Sequence, residues 1–418
     1  MRRQTTWPVT APGCVRRWGR YVSPRQLATG IDHLTPHRKI FYVNRAGQSG
    51  SWSKVKSFGA GDRCAAHERD LRCRGSTSTI KKGGALVRFA VVGTGFGEQH
   101  IGWLLDVPGV TVEALCYRSD HSRATRIANR FSVPAVESDP LSVIRSGRVD
   151  AVSVVTPPET HEKYLTAALD AGLTAVSDKP LARNSDEADR LTRYSQERGT
   201  PGYVTFQWRA NPALREVDRL RRSGFLGRVL QAEFAFHHDF LGEPETPWPW
   251  RHTRQAAGAG TLADQSVHLL DLLRWLTDDE WTVTSARSSV AFAQRSHQGS
   301  TLTAETEDLA DVQLTSASGT PARVFTSRVS AHRQLRAELH GTEGSVLAVL
   351  DPDDGSGLLH LNPRRAESRV REFPADEMNI YRLLLAADGP PPEAPTFADG
   401  ARAQSLLDEA VRHTRKTA

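Results

Sequence analysis

Cysteine is scarce in this chain: four residues among 418, three of them (Cys14, Cys64 and Cys73) before position 86. That excludes a fold stapled by disulfides. No run of about 18 uncharged apolar residues occurs, so no membrane-spanning helix is expected. An apolar core of about 7–15 residues is missing after Arg2-Arg3 and after Arg16-Arg17. Neither pair therefore opens a twin-arginine export signal, and the cytoplasm is the expected location. Acid is nearly absent from residues 1–86, which hold 17 Lys+Arg against 4 Asp+Glu; residues 87–418 hold 37 against 44. Two kinds of sequence are joined near residue 85.

The first kind is rich in Arg, Gly, Ser and Thr and shows neither helical nor strand periodicity. Such a segment cannot bury enough surface to offset its ordering entropy, so residues 1–86 are expected to be a disordered extension. Aromatic and basic residues do not alternate in it, and no specific nucleic-acid partner is expected. Its charge alone would bind nucleic acid without specificity. The globular pattern starts at Val87. Translation starting there is the alternative, with the extension an artefact of the gene model, and the intact mass of the native protein decides between them. The remainder, in a chain 39% apolar, is long enough for two domains with cores of their own.

Val87–Gly93 reads as a buried parallel strand ended by glycine. Gly93-Thr-Gly95-Phe96-Gly97 follows, then Ile101, Leu104 and Leu105 at helical spacing. Strand, glycine turn and helix form the setting of a dinucleotide phosphate site. The first glycine permits the turn, the second lets backbone approach a pyrophosphate, and the helix N-terminus faces it. The spacing is one residue short of G-x-G-x-x-G, which leaves the role of Gly97 open; a purely structural glycine turn is the alternative. The second strand, Val110–Cys116, ends in Tyr117-Arg118-Ser119, where an NAD site would carry a carboxylate for the ribose. Arg118 and Ser119 suit a 2′-phosphate. NADP(H) is therefore preferred, with NAD(H) kept open by Asp120 and by reading Arg118 as a solvated loop residue. Ala151–Val155 ends at Thr156-Pro157, followed by His161 on a helix, and then by Ala175-Val-Ser-Asp178-Lys179-Pro180. Strands alternating with helices mean a parallel sheet, with ligands off the carboxyl ends of its strands. A lysine there meets the reacting end of a dinucleotide.

Past about residue 207 strand follows strand: 227–238, 283–293, 309–314, 323–329, 335–340 and 345–350. Short turns between them argue for a largely antiparallel sheet. One helix, 261–276, carries Leu262, Leu269, Leu273 and Leu276 on one stripe and Asp264, His268, Asp271 and Trp275 on another. Asp264 and His268 are one turn apart: either a helix-surface pair or two groups acting on one ligand. Gly258-Ala-Gly260 before it would let the chain approach another domain closely.

Taken in order, Gly93-x-Gly95, Thr156-Pro157 with His161, Asp178-Lys179-Pro180, Asp264 with His268 and Asp271, and Gly341-Thr-Glu-Gly344 resemble the Gfo/Idh/MocA oxidoreductases over about residues 87–415. The resemblance implies an α/β fold. A Rossmann parallel sheet (87–207) precedes an α/β substrate and oligomerisation domain (208–397) with an open, mostly antiparallel sheet. The last helix, about 398–413, packs back on the first domain. It implies a homo-oligomer acting on a small sugar-like molecule, with Lys179, Asp264 and His268 catalytic. Cofactor contacts would come from Gly93, Gly95, Phe96, Gly97, Arg118, Ser119, Thr156, Pro157, His161, Asp178 and Lys179. Lys179 would charge-stabilise an alkoxide, His268 would move a proton near its ordinary pKa, and Asp264 would orient His268 or contact the substrate. Asp178 replaces the family's glutamate. No metal is expected, because the histidines lack ligand spacing with cysteine.

In the family the segment around 237–251 lines the substrate pocket, so Asp239, Glu243, Trp250 and Arg251 join Lys179, Asp264 and His268 as expected substrate contacts, and Arg209 is expected among them as well. Asp239, Glu243 and Glu245 would pair with amino groups, which points to an amino-sugar. The Ala- and Arg-heavy composition, of an actinobacterial kind, extends that to a keto-aminoglycoside reductase of antibiotic biosynthesis working in the reducing direction. The alternatives are an NAD-dependent sugar or inositol dehydrogenase, a non-catalytic regulator of the same fold, and a glycosidase using bound NAD without net turnover of it.

Overall fold

The computed structural model describes residues 86–386 and 389–416. The basic extension up to residue 85, with three of the cysteines, lies outside them. Six strands build the first sheet: β1 (Val87–Val92), β2 (Val110–Cys116), β3 (Ala135–Glu137), β4 (Ala151–Val154), β5 (Thr174–Ser177) and β6 (Gly202–Val204). All pair in parallel, in the order β3-β2-β1-β4-β5-β6. Every residue of β4 and β5 is buried, as short apolar strands must be when both faces are covered. The connecting helices are α1 (Gly97–Leu105), α2 (His121–Phe131), α3 (Pro140–Ile144), α4 (His161–Asp170) and α5 (Ser185–Arg198). Their ends follow from local chemistry. Asp120 and Asn184 cap α2 and α5 by accepting from the N–H groups of Arg123 and Glu187, and Gly199 ends α5 at φ 61°. The strand order reverses between β1 and β4, which opens a crevice at their carboxyl ends.

After α6 (Pro212–Arg222) and β7 (Val229–His237) the chain runs through α7 (Arg254–Ala257) and α8 (Val267–Thr277). Then follow β8 (Trp281–Ser289), a ribbon of β9 (Gln294–His297) and β10 (Ser300–Thr303), β11 (Leu309–Ser316), β12 (Pro321–Ser327), β13 (Gln334–Gly341), β14 (Gly344–Leu350), β15 (Gly357–Pro363) and β16 (Arg369–Phe373). The second sheet has the order β16-β15-β14-β13-β7-β12-β11-β8. It is antiparallel except where β7 runs parallel to β12. Buried and half-exposed residues alternate along β13 and β14, the mark of a sheet covered on one face. Helices α6 and α8 pack on it. A short helix, α9 (Ile380–Leu384), precedes α10 (Phe397–Lys416). Helix α10 lies against α5 and β6 of the first sheet and against α8 and β8 of the second.

Two expectations change. The ribbon and strands β15 and β16 add to the anticipated set. The helix expected over 261–276 begins as a π turn, Leu262–Ser266. Glu307 holds that start by accepting from the N–H groups of Gly260 and Leu262. A Cβ on Gly260 would stand 2.0 Å from the Glu307 carbonyl oxygen, so this glycine admits the β10–β11 connection and not another domain. Among the described residues no helix is long and apolar enough to cross a membrane.

Candidate active site

The glycine loop sits where the strand order reverses. Gly93 has φ +118°, and a Cβ there would lie 2.2 Å from the Val155 carbonyl oxygen. This glycine lets the loops after β1 and β4 touch. A Cβ on Gly97 would meet Val91 Cγ1 at 3.3 Å, so this third glycine serves helix–strand packing. Nothing lies within 4 Å of the same position on Gly95. Its backbone faces open space at the start of α1, and Phe96 beside it is 47% exposed. That bare backbone fits the approach of a pyrophosphate. Gly95→Val is therefore expected to unfold at the wild-type temperature while raising the NADPH dissociation constant at least about tenfold. An unchanged constant in a fluorescence titration would place the pyrophosphate elsewhere.

At the tip of β2, Arg118 and Ser119 are exposed. Asp120 is engaged as the cap of α2. Arg123, which carries no sequence signal, reaches the glycine loop and donates from Nε to the Thr94 carbonyl at 3.0 Å. At the end of β4, Thr156 Oγ1 accepts from Thr160 Oγ1 at 2.7 Å and Pro157 is exposed. His161 is a correction. It is fully buried, with Nε2 2.7 Å from the Thr156 carbonyl oxygen, and Nδ1 3.1 Å from the Leu181 carbonyl oxygen and 3.2 Å from Ser177 Oγ. It braces the loops that flank the crevice and does not itself reach a cofactor.

Beyond β5, Asp178 Oδ1 accepts from the Lys179 N–H at 2.8 Å and from Thr205 Oγ1 at 3.0 Å. These bonds set the Lys179 backbone, whose peptide bond to Pro180 is cis. Lys179 Nζ then donates to the backbone carbonyl of Asp264 at 2.7 Å and lies 3.5 Å from its carboxylate Oδ1. The π turn of the α8 N-terminus carries Asp264 to this meeting. Its other oxygen pairs with Arg251 Nη1. Burial would raise the Asp264 carboxyl, but the charges of Arg251, Lys179 and Arg328 outweigh it and hold it below the usual carboxylate range.

His268 is buried, with Nδ1 lacking a hydrogen-bond partner among the described residues and Phe206 edge-on to its ring. Burial first, then the Lys179 charge, push its pKa well below the ordinary histidine value against the opposing pull of Asp264. The expectation of a group titrating near neutrality is therefore corrected: His268 rests as a neutral imidazole. The expected orienting bond from Asp264 is corrected as well, since both carboxylate oxygens face cations.

Three expected substrate contacts stand apart from this cluster. Arg209 is buried and bonds Asp271 through Nε (2.8 Å) and Nη2 (2.5 Å), Asp399 (2.9 Å) and the Glu393 carbonyl (3.1 Å). Its donors are engaged in a clamp between the segment before α6, α8 and α10. Asp239 accepts from Arg333 Nε at 2.6 Å. Glu243 is exposed, and its backbone carbonyl, at 2.7 Å from Arg295 Nη1, is the part engaged. Arg251 and Trp250 do join the cluster: the guanidinium carbon lies 4.7 Å from the centre of the Trp250 ring.

The model described as the oxidoreductase family, NAD-binding Rossmann fold, matches residues 87–206. The one described as the GFO/IDH/MocA C-terminal domain matches residues 214–347. A levoglucosan dehydrogenase of Pseudarthrobacter phenanthrenivorans is 25% identical over 255 residues, 57% of this chain and 65% of that relative's length. A 1,5-anhydro-D-fructose reductase of Ensifer adhaerens is 29% identical over 293 residues, 69% of this chain and 83% of its own. Among solved structures, a levoglucosan dehydrogenase in complex with NADH and L-sorbose superposes with a TM-score of 0.71 at 22% identity, over 79% of this chain and 97% of that one. The two family models follow one another along the two sheets that bracket Lys179 and Asp264, and the chain belongs to the Gfo/Idh/MocA family of oxidoreductases.

Proposed function

We propose that the protein interconverts a secondary alcohol and a ketone on a sugar or cyclitol, with NADP(H) preferred. The observation that supports this reading is the meeting of Lys179, just past β5, with Asp264, and His268 four residues further along the same helical segment. The names of the relatives, a sugar dehydrogenase and a sugar reductase, support the substrate class. The glycine loop, Arg118, Ser119, Thr156 and Pro157 would hold the cofactor, whose nicotinamide supplies the hydride acceptor or donor when bound.

The chain's own groups do the rest. In the oxidising direction the neutral imidazole of His268 accepts the hydroxyl proton. The Lys179 ammonium stabilises the developing alkoxide. Asp264, kept ionised by Arg251 and Lys179, holds the ammonium in place and accepts from a neighbouring substrate hydroxyl.

Arg118 and Ser119 at the β2 tip, with Arg123 on α2 and Asp120 engaged as a cap, favour a 2′-phosphate over a bare ribose. The second reading, an NAD(H) enzyme, is favoured by the description of the matching family model. Against the amino-sugar refinement stand the pairing of Asp239 with Arg333, that of Glu245 with Ser296, and the cations around Asp264; Glu243 alone keeps an exposed carboxylate.

The test is turnover of levoglucosan, myo-inositol and 1,5-anhydro-D-fructose, followed at 340 nm with both cofactors. Faster kcat/KM with NADP(H) is expected, and a tenfold advantage for NAD(H) would reverse the cofactor assignment. A regulator or a glycosidase would consume no cofactor. Because the pKa of His268 is depressed, its basic form persists as pH falls through the ordinary histidine value. Oxidation kcat/KM is thus expected to hold through pH ~6.5 and to fall only at lower pH. A decline centred at that value would refute the assignment of this base.

A further inference from the structure

Four cations crowd the substrate side of the site. Lys179 and Arg251 both pair with Asp264. Arg295 and Arg328, fully buried, share Asp308 at 3.0 and 2.9 Å. The Arg328 charge also helps to hold the Asp264 carboxyl low. The nearby carboxylates of Asp178 and Glu307 accept from backbone N–H groups and Thr205 and keep their charge.

Arg251 has donors that no group in the site uses. Its Nη1 donates to Asp264 Oδ2. Its Nε is buried and has no acceptor among the described residues. Trp250, Trp248 and Phe240 surround the guanidinium, with ring centres 4.7, 5.5 and 5.7 Å from its carbon. With one edge on Asp264, the Nε–Nη2 edge remains. That edge is a planar fork of two parallel N–H donors, which matches the two oxygens of a carboxylate. Trp248 and Trp250 are 41% and 49% exposed and offer flat apolar faces to the C–H face of a sugar ring.

We propose that the substrate is an acidic sugar: the Nε–Nη2 edge of Arg251 receives a carboxylate on a molecule whose alcohol or ketone reacts at Lys179 and His268. Uronic and aldonic acids have this chemistry. The inference rests on the oxidoreductase reading above.

The test uses the full chain, wild type, Arg251→Gln and Arg251→Lys. Matched pairs, D-glucose with D-glucuronate and D-galactose with D-galacturonate, are assayed with NAD+ and NADP+ at 340 nm. The wild type is expected to favour the acid at least tenfold in kcat/KM. That acid-to-neutral ratio should fall at least tenfold in Arg251→Gln, with Arg251→Lys between. Binding is read separately by tryptophan fluorescence, since Trp248 and Trp250 flank the guanidinium; glucuronate should quench the wild type, and Arg251→Gln at least tenfold more weakly. Turnover without charge preference, or equal losses on acid and neutral sugar in Arg251→Gln, overturns the inference and leaves the oxidoreductase reading standing. Arg251-dependent quenching without turnover supports the carboxylate site and removes the redox reading. Neither response overturns both.

Discussion

Lys179→Ala is expected to lower kcat by about 10²–10³-fold, the usual effect of losing one preorganised group at a developing oxyanion. The NADPH dissociation constant should stay within a few-fold of wild type. The distinction follows from how the residue is held. Its backbone is set by the Asp178 carboxylate and Thr205, which alanine leaves in place, and only the ammonium that meets Asp264 is lost. The same ammonium helps to depress His268. Removing it should therefore shift the acid limb of the residual oxidation rate to higher pH. A merely structural lysine would lower the rate without moving that limb, and retention of near-full turnover would remove Lys179 from the chemistry altogether.

Arg209→Met should be the most destabilising single change, at about 3–5 kcal/mol, or a fall in melting temperature on the order of 10 °C. The guanidinium is 3% exposed and Asp271 is fully buried. Methionine fills similar space but leaves that carboxylate without its counter-charge. Burial already raises the Asp271 carboxyl despite Arg209, and Arg274 adds only a smaller pull, so the ionised form depends chiefly on its partner. The double replacement Arg209→Met/Asp271→Leu should recover much of the loss, because a buried pair exchanged for apolar groups is often near neutral. Thermal unfolding of the three proteins decides this; a single variant melting within about 2 °C of wild type would show that the clamp contributes little.

The parts legible from sequence were those in which burial is imposed locally. Strands β1, β4 and β5 are short apolar runs cut by Gly93, Thr156-Pro157 and Asp178, and in β13 and β14 every second residue is buried. Strand β16 gave no such signal, since four of the five residues of Arg369–Phe373 are exposed on a sheet edge, and the β9–β10 ribbon is polar too, with its buried Arg295 held by Asp308. Within the site, motif order located Lys179 and Asp264. It did not show how Asp264 is partnered, which depends on a π turn and on Arg251 arriving from a loop. Arg209 misled because its partners stand at positions 271 and 399, far off in sequence. His161 misled because a residue just past a strand end suggests the crevice, whereas its ring turns inward to three oxygens.

The turn at Leu262–Ser266 amounts to one surplus residue threaded into a helix. Removing it would swing Asp264 by about 100° around the axis, while the leucines of α8 kept their places against the sheet. Reactive carboxylate and packing stripe are thus geared separately along one rod. Family members that gain or drop a residue here could re-aim their acid without rebuilding the interior.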